Sequence, residues 1–236
     1  MTNSSSSSSL TKDEMKKFGI FFTPDVLVNK LISFMEGGME FKTILEPSCG
    51  DGQFLKKLIK TYPSSKITAY ELNENVFNMI TDDVKSKITL FNDDFLKSSV
   101  DEKYDYIIGN PPFYVLSKDD EHKGMYKEYY TGRINIFILF IIHSLKKLNP
   151  GGVLSFIIPE AFLNCKYYEL TRLYIKNDFR IIAIEKNENL FKDTKYSTIS
   201  ITIENDKPDN GENDKWFYNE VMVYDNKLFD LINKKR

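Results

Sequence analysis

The sequence predicts an α/β fold built on a mostly parallel β-sheet with helices packed against it. Three observations support this prediction. Short apolar runs alternate with stretches long enough for a helix, the hydrophobic period switches between that of a helix and that of a strand, and strong stop signals such as Asn149-Pro150-Gly151-Gly152 separate elements. Because parallel neighbours need a long crossover, usually a helix, the alternation indicates parallel pairing.

The predicted elements follow one another along the chain. A first helix covers residues 25–35, with Thr23 and Pro24 as its start signal. Strands are expected at residues 43–45, 67–70, 88–91, 104–108 and 153–158, and helices at residues 53–61, 74–83, 135–148 and near 167–177.

The last part of the chain predicts a change of strand direction. The runs 181–184 and 198–203 are joined by a polar loop that is short for a crossover helix, so these two strands are expected to pair antiparallel. The sheet then has seven strands, mostly parallel with the last antiparallel. Residues 216–236 are expected to add at most one strand and one helix.

Length and composition predict one globular catalytic domain. The 236 residues are 42% hydrophobic and 28% charged, which is typical of a soluble α/β domain, and too few for two domains of ordinary size. The serine run 4–9 cannot bury apolar surface, so residues 1–11 are expected to be a disordered lead-in and residues 12–236 a single domain.

Charge and cysteine content narrow the possible functions. The formal net charge is −2, so any phosphate contact must come from a local basic face or from a partner. Cys49 and Cys165, with His122 and His143, lack the spacing of a zinc site, so no metal is expected. No signal segment is recognisable, and the longest apolar run, 134–145, is too short for a bilayer, so an intracellular protein without a membrane partner is expected.

A glycine-containing turn follows the first predicted strand, in Glu46-Pro47-Ser48-Cys49-Gly50-Asp51-Gly52. A strand that enters such a turn and then a helix lets the backbone approach a ligand closely. The Glu46 carboxylate could accept hydrogen bonds from a ligand ammonium group. An ordinary tight turn would explain the two glycines equally well.

Carboxylates also follow the second and third strands. Glu71 ends the second strand and could accept from both hydroxyls of a ribose, although a charge at a helix start is an equal explanation. Asp94 could accept from an adenine amino group while the Phe95 ring covers the base, and a polar turn is the simpler alternative. The order of these residues after successive strands favours the binding interpretation.

The strongest motif is Asn110-Pro111-Pro112-Phe113, after the fourth strand. The Asn110 side-chain carbonyl and the Pro111 backbone carbonyl can each accept one proton of an amino group. Together they would orient the nitrogen lone pair toward a methyl donor, while Phe113 stacks on a flat substrate. A simple turn would not account for the aromatic residue after two prolines.

These motifs, in this order, resemble those of the gamma group of adenine-N6 DNA methyltransferases from restriction-modification systems. The resemblance also covers Phe22-Thr23-Pro24, the segment 132–137, the run 148–152, Ile157-Ile158-Pro159 and the segment 190–198, so that it extends from about Phe18 to Glu204. It implies the class I S-adenosylmethionine-dependent methyltransferase fold, S-adenosylmethionine as cofactor and an adenine in DNA as the target.

The resemblance also implies roles for individual residues. The cofactor would be bound by Phe22, Thr23, Glu46, Pro47, Gly50, Gly52, Glu71, Leu72, Asp94, Phe95 and Asn110. The target amino group would be held by Asn110, Pro111, Pro112 and Phe113. Phe191 would cover the other face of an everted adenine, and Lys195 would touch a phosphate or the base edge.

Several alternatives remain open at this point. The same two acceptors suit an adenine in RNA or a glutamine amide in a protein, and a catalytically silent subunit of a split enzyme would keep the same fold. Members of the group generally carry a separate target-recognition domain after the catalytic one, and no such domain is expected within this sequence. DNA recognition is therefore expected to need a separate target-recognition subunit, or else the chain is truncated or acts on another substrate.

Overall fold

The computed structural model describes residues 23–33, 35, 40–187 and 197–206, together with the backbone of residues 215–218 and 221–224. Three residues of the predicted site, Phe22, Phe191 and Lys195, lie outside these ranges, as do residues 1–11. Across the ranges just given, no helix has the length and apolar character needed to cross a membrane.

The strands form one sheet in the order β3-β2-β1-β4-β5-β7-β6-β8-β9. The first five strands are parallel to their neighbours among themselves, whereas β7 runs antiparallel to both β5 and β6. The predicted mostly parallel, seven-stranded arrangement with an antiparallel last strand is therefore confirmed. The strands are β1 (Thr43–Glu46), β2 (Lys66–Tyr70), β3 (Thr89–Phe91), β4 (Tyr104–Gly109), β5 (Leu148–Pro159), β6 (Arg180–Asn187), β7 (Thr198–Glu204), β8 (Lys215–Tyr218) and β9 (Val221–Tyr224).

The last two strands extend the sheet beyond the prediction. The sequence was expected to add at most one strand after residue 216, but β8 pairs parallel with β6, and β9 pairs antiparallel with β8. Both segments are rich in aromatic and β-branched residues, which favour extended backbone once a neighbouring strand is available. The free edge of β6 supplies that neighbour, and a sequence window does not reveal it.

Four helices have at least nine residues and follow the predicted positions closely: α1 (Asp25–Ser33), α2 (Gln53–Thr61), α5 (Ile136–Lys146) and α6 (Glu169–Asp178). The predicted helix 74–83 is wrong, because the chain forms two single turns instead, α3 (Glu74–Phe77) and α4 (Asp82–Lys85). Asn73 caps α3 through its side chain, and Thr81 begins α4. Asn and Thr favour caps and turns over helix interiors.

The helices pack on the two faces of the sheet. On one face α1 and α2 cover apolar residues of β1 and β4, including Ile44 and Ile108. On the other face α5 lies against the sheet with residues 136–145 all buried, as the apolar run predicted. Burial of both sheet faces is what parallel strands require, and it leaves the strand ends as the accessible edge.

The turn at the start of β5 predicts a large effect on stability. A Cβ atom added at Gly152 would lie 2.9 Å from the carbonyl oxygens of Asn149 and Tyr104, closer than side-chain carbons approach oxygen atoms. Because both contacts are backbone atoms, neither can rotate away. Gly152→Ala is therefore expected to lower the free energy of unfolding by about 1–3 kcal/mol, measured by urea denaturation.

The adjacent Gly151 supplies the matched control. It has a φ of +72°, and an added Cβ would meet no atom within 4 Å. Gly151→Asn keeps a residue type that tolerates the left-handed conformation, so its expected cost is below about 1 kcal/mol. Equal urea midpoints for Gly152→Ala and Gly151→Asn would contradict the steric argument.

Candidate active site

A cavity of about 430 Å³ lies at the carboxyl ends of the parallel strands. Side chains from successive strand ends meet there because these ends share one edge of the sheet. The volume is in the range of small-molecule and cofactor sites. The sequence-predicted residues that line it are Thr23, Glu46, Pro47, Gly50, Glu71, Leu72, Asp94, Phe95, Asn110 and Pro112.

Glu46 is the last residue of β1, and only 1% of it is exposed. Its Oε2 atom is buried and has no hydrogen-bond partner among the described residues. Burial raises the pKa of the Glu46 carboxyl well above its ordinary value, and repulsion from Asp51 and Glu71 raises it further. A buried carboxylate in negative surroundings favours a ligand that brings positive charge and hydrogen-bond donors.

The glycine turn is tied to the end of β2 through Glu71. The backbone N–H of Gly50, which has a φ of +57°, donates to Glu71 Oε2 at 3.0 Å, and the N–H of Asn73 donates to Oε1 at 2.8 Å. Burial raises the pKa of the Glu71 carboxyl, and these backbone donors partly offset the rise. Each oxygen of a carboxylate has a second lone pair, so Glu71 can accept further bonds from a ligand.

Gly52 contributes to the turn without lining the cavity. It precedes α2 with a φ of +81°, a conformation that L residues with a Cβ rarely adopt. The prediction grouped Gly52 with Gly50 as a binding residue, and in the structure its visible contribution is to the path of the backbone.

Asp94 lies at the opposite wall of the cavity from the residues of the glycine turn in sequence order, after β3. Its Oδ1 accepts from the N–H of Leu96 at 3.0 Å, and its Oδ2 lies 2.7 Å from His122 Nε2. The other ring nitrogen of His122 lies 3.1 Å from Asp120 Oδ1. Sequence reasoning did not place His122 in the site, because a lone histidine in a polar loop carries no motif.

The apolar part of the cavity comes largely from α5. Ile136 and Phe140 are one helical turn apart and line the cavity beside Phe95, whose ring centroid is 5.3 Å from that of Phe140. Tyr114, directly after the 110–113 motif, also lines it. The sequence prediction included none of these three except Phe95, although the apolar run of α5 indicated a buried helix.

Asn110 follows β4 and is held at both its backbone and its side chain. Its Nδ2 donates to Thr23 Oγ1 at 3.1 Å, and its backbone carbonyl accepts from Ser48 Oγ at 3.3 Å. These contacts place the amide in the same cavity as Glu46 and Glu71. The structure therefore brings together residues that come from four separate parts of the chain.

Phe113 and Pro111 do not line the cavity. Phe113 is half-buried and packs edge to face against Phe137 of α5, with ring centroids 6.2 Å apart and planes at 85°. Pro111 is buried directly after Asn110. Phe191, the predicted partner of Phe113 around a base, lies outside the described residues, so the aromatic sandwich stays a prediction.

One cluster within the described ranges has the residue types of a metal site: Asp94, Glu121 and His122, with one ligand atom of each within 4.8 Å of the others. The Lys97 ammonium lies 3.0 Å from a Glu121 oxygen and 3.9 Å from an Asp94 oxygen. This lysine already balances negative charge there. The expectation that the protein needs no metal stays a prediction.

Comparison with known proteins agrees with this geometry. The family model of the Eco57I restriction-modification methylase matches residues 14–191. The type II methyltransferase M.AccI of Acinetobacter calcoaceticus is 30% identical over 97% of this chain and 44% of its own length. The modification methylase CviBIII of Paramecium bursaria Chlorella virus NC1A is 31% identical over 83% of this chain and 52% of its own length. The chain thus spans about half the length of these curated relatives.

The fold is shared with solved structures as well. A Listeria monocytogenes protein whose crystal structure is described as a class I S-adenosylmethionine-dependent methyltransferase has a TM-score of 0.68 and 22% identity, over 84% of this chain and 64% of that one. This similarity confirms the predicted class I fold. Fold and family together imply S-adenosylmethionine as the cofactor. The matched family model covers most of the chain, and the chain belongs to the Eco57I restriction-modification methylase family.

Proposed function

We propose that this chain transfers a methyl group from S-adenosylmethionine to the exocyclic N6 amino group of adenine in DNA. The observation that carries the proposal is the position of Asn110. Its amide lies at the end of β4, on the same cavity as Glu46, Glu71 and Asp94. A planar amide beside a site for a cationic cofactor suits transfer to a planar amino group.

The cavity fits the cofactor on two observations. The buried Oε2 of Glu46, which no described residue satisfies, lies where an ammonium group could donate to it. The ordered pair of Gly50 and Glu71 provides acceptors for ribose hydroxyls, and the Asp94 carboxylate with the Phe95 ring suits a base. When bound, S-adenosylmethionine supplies an electrophilic methyl group on a positively charged sulfur.

The chain's own residues then act on the target amine. The Asn110 side-chain carbonyl and the Pro111 backbone carbonyl accept one amino proton each, because proline has no N–H and its carbonyl is available to a ligand. Two such bonds draw the nitrogen lone pair out of conjugation with the ring and aim it at the methyl group. The amine nitrogen forms the new N–C bond as the S–C bond breaks, and the released proton leaves to solvent.

Recognition of the base is assigned to aromatic residues. An adenine turned out of the duplex loses stacking worth a few kcal/mol, which contact with Phe113 and Phe191 would offset. Lys195 is proposed to contact a phosphate or the base edge. The names of the curated relatives, a type II methyltransferase and a modification methylase, support DNA as the acceptor, and a separate target-recognition subunit is proposed as a partner.

The proposal is tested by supplying S-adenosylmethionine with a radiolabelled methyl group and four separate acceptors: adenine-containing duplex DNA, the same DNA with hypoxanthine for adenine, RNA and peptides containing glutamine. Hypoxanthine lacks the amino group but keeps the purine ring, so it is the matched control. Label is expected only in adenine DNA, as N6-methyladenine after hydrolysis and chromatography. Label confined to RNA or to peptides would overturn the proposal.

Calorimetric titration of the same preparation with S-adenosylmethionine separates a silent subunit from an enzyme of another specificity. The proposal expects one binding site per chain. A well-folded chain that neither binds the cofactor nor transfers label would be a catalytically silent partner.

A further inference from the structure

We propose that Thr23 is a positioning residue for the reaction: its hydroxyl holds the Asn110 amide in the one orientation that presents the amide oxygen to the target amino group. This inference rests on the proposed function. It gives Thr23 a role distinct from the cofactor contact that the sequence motif implies.

The argument begins with the chemistry of an amide. One end of the Asn side chain is an acceptor and the other end is a donor, and the two ends have nearly the same shape. An amino group as substrate also brings donors. If the Asn110 amide turned over, its NH2 would face the substrate NH2, and the two donors would repel one another. Catalysis therefore requires something that distinguishes the two orientations.

The Thr23 hydroxyl makes this distinction. Asn110 Nδ2 donates to Thr23 Oγ1 at 3.1 Å, across 87 residues of sequence. A hydroxyl oxygen with this neighbour accepts from the amide nitrogen, which leaves the amide oxygen on the other branch of the same planar group. Both residues line the cavity, so the bond is made at the site itself.

The position of Thr23 is itself well defined. It is 8% exposed and directly precedes Pro24, whose carbonyl accepts from the N–H groups of Leu27 and Val28 at 2.9 and 3.2 Å. Leu27 and Val28 are buried in the core between α1 and the sheet. The start of α1 thus places the hydroxyl, and the proline limits the backbone conformations available to it.

A purely structural explanation is that the bond only ties α1 to β4. The two explanations differ in what a substitution changes. A tie between elements affects stability and every function of the site together, whereas an orienting bond affects the methyl-transfer step and leaves cofactor affinity in place. Orientation also has a specific cure, because a residue with two equivalent acceptor ends at position 110 needs no orienting partner.

The test uses Thr23→Val, which keeps the shape of the side chain without the hydroxyl, and Thr23→Ser, which keeps the hydroxyl without the methyl group. Thr23→Ala is measured alongside as a second variant that lacks the hydroxyl. Single-turnover transfer to adenine DNA is expected to slow about five- to twentyfold in the valine and alanine variants and to recover within about twofold in the serine variant. The dissociation constant for S-adenosylmethionine, from calorimetry, is expected to stay within about twofold in all three.

A second readout is independent of turnover. The side-chain amide protons of Asn110, assigned by their absence in Asn110→Asp, are followed by NMR in the cofactor-free protein. Their chemical shifts are expected to move in Thr23→Val and to return in Thr23→Ser. Unchanged shifts in Thr23→Val would overturn the inference.

The orientation argument is checked further by placing Thr23→Val in an Asn110→Asp background, where either carboxylate oxygen can face the amine. The rate loss caused by Thr23→Val is expected to shrink to less than about twofold there. A full loss in that background, a normal rate in Thr23→Val, or a failure of Thr23→Ser to recover would each overturn the inference. A wild-type chain that methylates adenine combined with a normal Thr23→Val rate removes this inference alone, whereas a wild-type chain that methylates no amino group removes the proposed function with it.

Discussion

Replacing Asn110 with alanine is expected to lower the rate of methyl transfer by about 10²–10³-fold, the usual cost of losing one polar group that acts mainly in the transition state. The amide is one of two acceptors proposed for the target amine, and the remaining Pro111 carbonyl cannot orient the lone pair alone. The measurement is single-turnover transfer of labelled methyl groups to adenine DNA at saturating cofactor.

Two comparisons make this result interpretable. Asn78→Ala changes an exposed asparagine outside the cavity and is expected to leave the rate unchanged. Calorimetric affinity of Asn110→Ala for S-adenosylmethionine is expected to stay within a few-fold, because Glu46, Glu71 and Asp94 remain in place. An Asn110→Ala variant that transfers methyl groups at the wild-type rate would remove the 110–113 motif from the mechanism.

Replacing Glu46 with glutamine is expected to have two opposite effects. Affinity for S-adenosylmethionine should fall by at least about thirtyfold, because a buried carboxylate that pairs with a cationic ligand is worth about 2 kcal/mol or more. The free energy of unfolding of the cofactor-free protein should rise by about 1–3 kcal/mol, because glutamine removes a buried carboxylate that has no partner among the described residues. Calorimetry and urea denaturation measure the two effects.

The gain in stability is expected to depend on pH in a defined direction. Burial raises the pKa of the Glu46 carboxyl above its ordinary value of 4.5 in the folded protein. In the wild type, Glu46 therefore contributes stability below pH 4.5 that is lost as the pH rises through the folded-state pKa. Glutamine does not titrate, so the difference between Glu46→Gln and wild type should be close to zero at the acid end and grow toward neutral pH.

Glu128→Gln controls for the change in net charge, since Glu128 is exposed and does not line the cavity. It is expected to leave cofactor affinity unchanged and to alter unfolding by no more than about 0.5 kcal/mol. A Glu46→Gln protein that is less stable than wild type at pH 7, or that binds the cofactor as tightly, would contradict the assignment of Glu46 as the receptor of the ligand's positive charge.

The sequence predicted most of the sheet because the relevant signals are local. The period of apolar residues, the caps and the glycine and proline stops occupy windows of ten to fifteen residues, and β1, α2 and β4 were found within a residue or two of their observed bounds. The prediction was wrong for residues 74–83, where caps at Asn73 and Thr81 outweigh the apolar period, and incomplete for β8 and β9, whose pairing depends on the free edge of β6.

By itself, the sequence determined which chemistry-bearing residues follow each strand, and hence that Glu46, Glu71, Asp94 and Asn110 would share one edge of a parallel sheet. Only the tertiary structure decided their partners: Thr23 on the Asn110 amide, His122 on Asp94, and the side chains of α5 on the apolar wall. Strand direction is fixed by local pattern and general chain geometry, whereas a hydrogen bond across 87 residues depends on how helices and loops pack on the finished sheet.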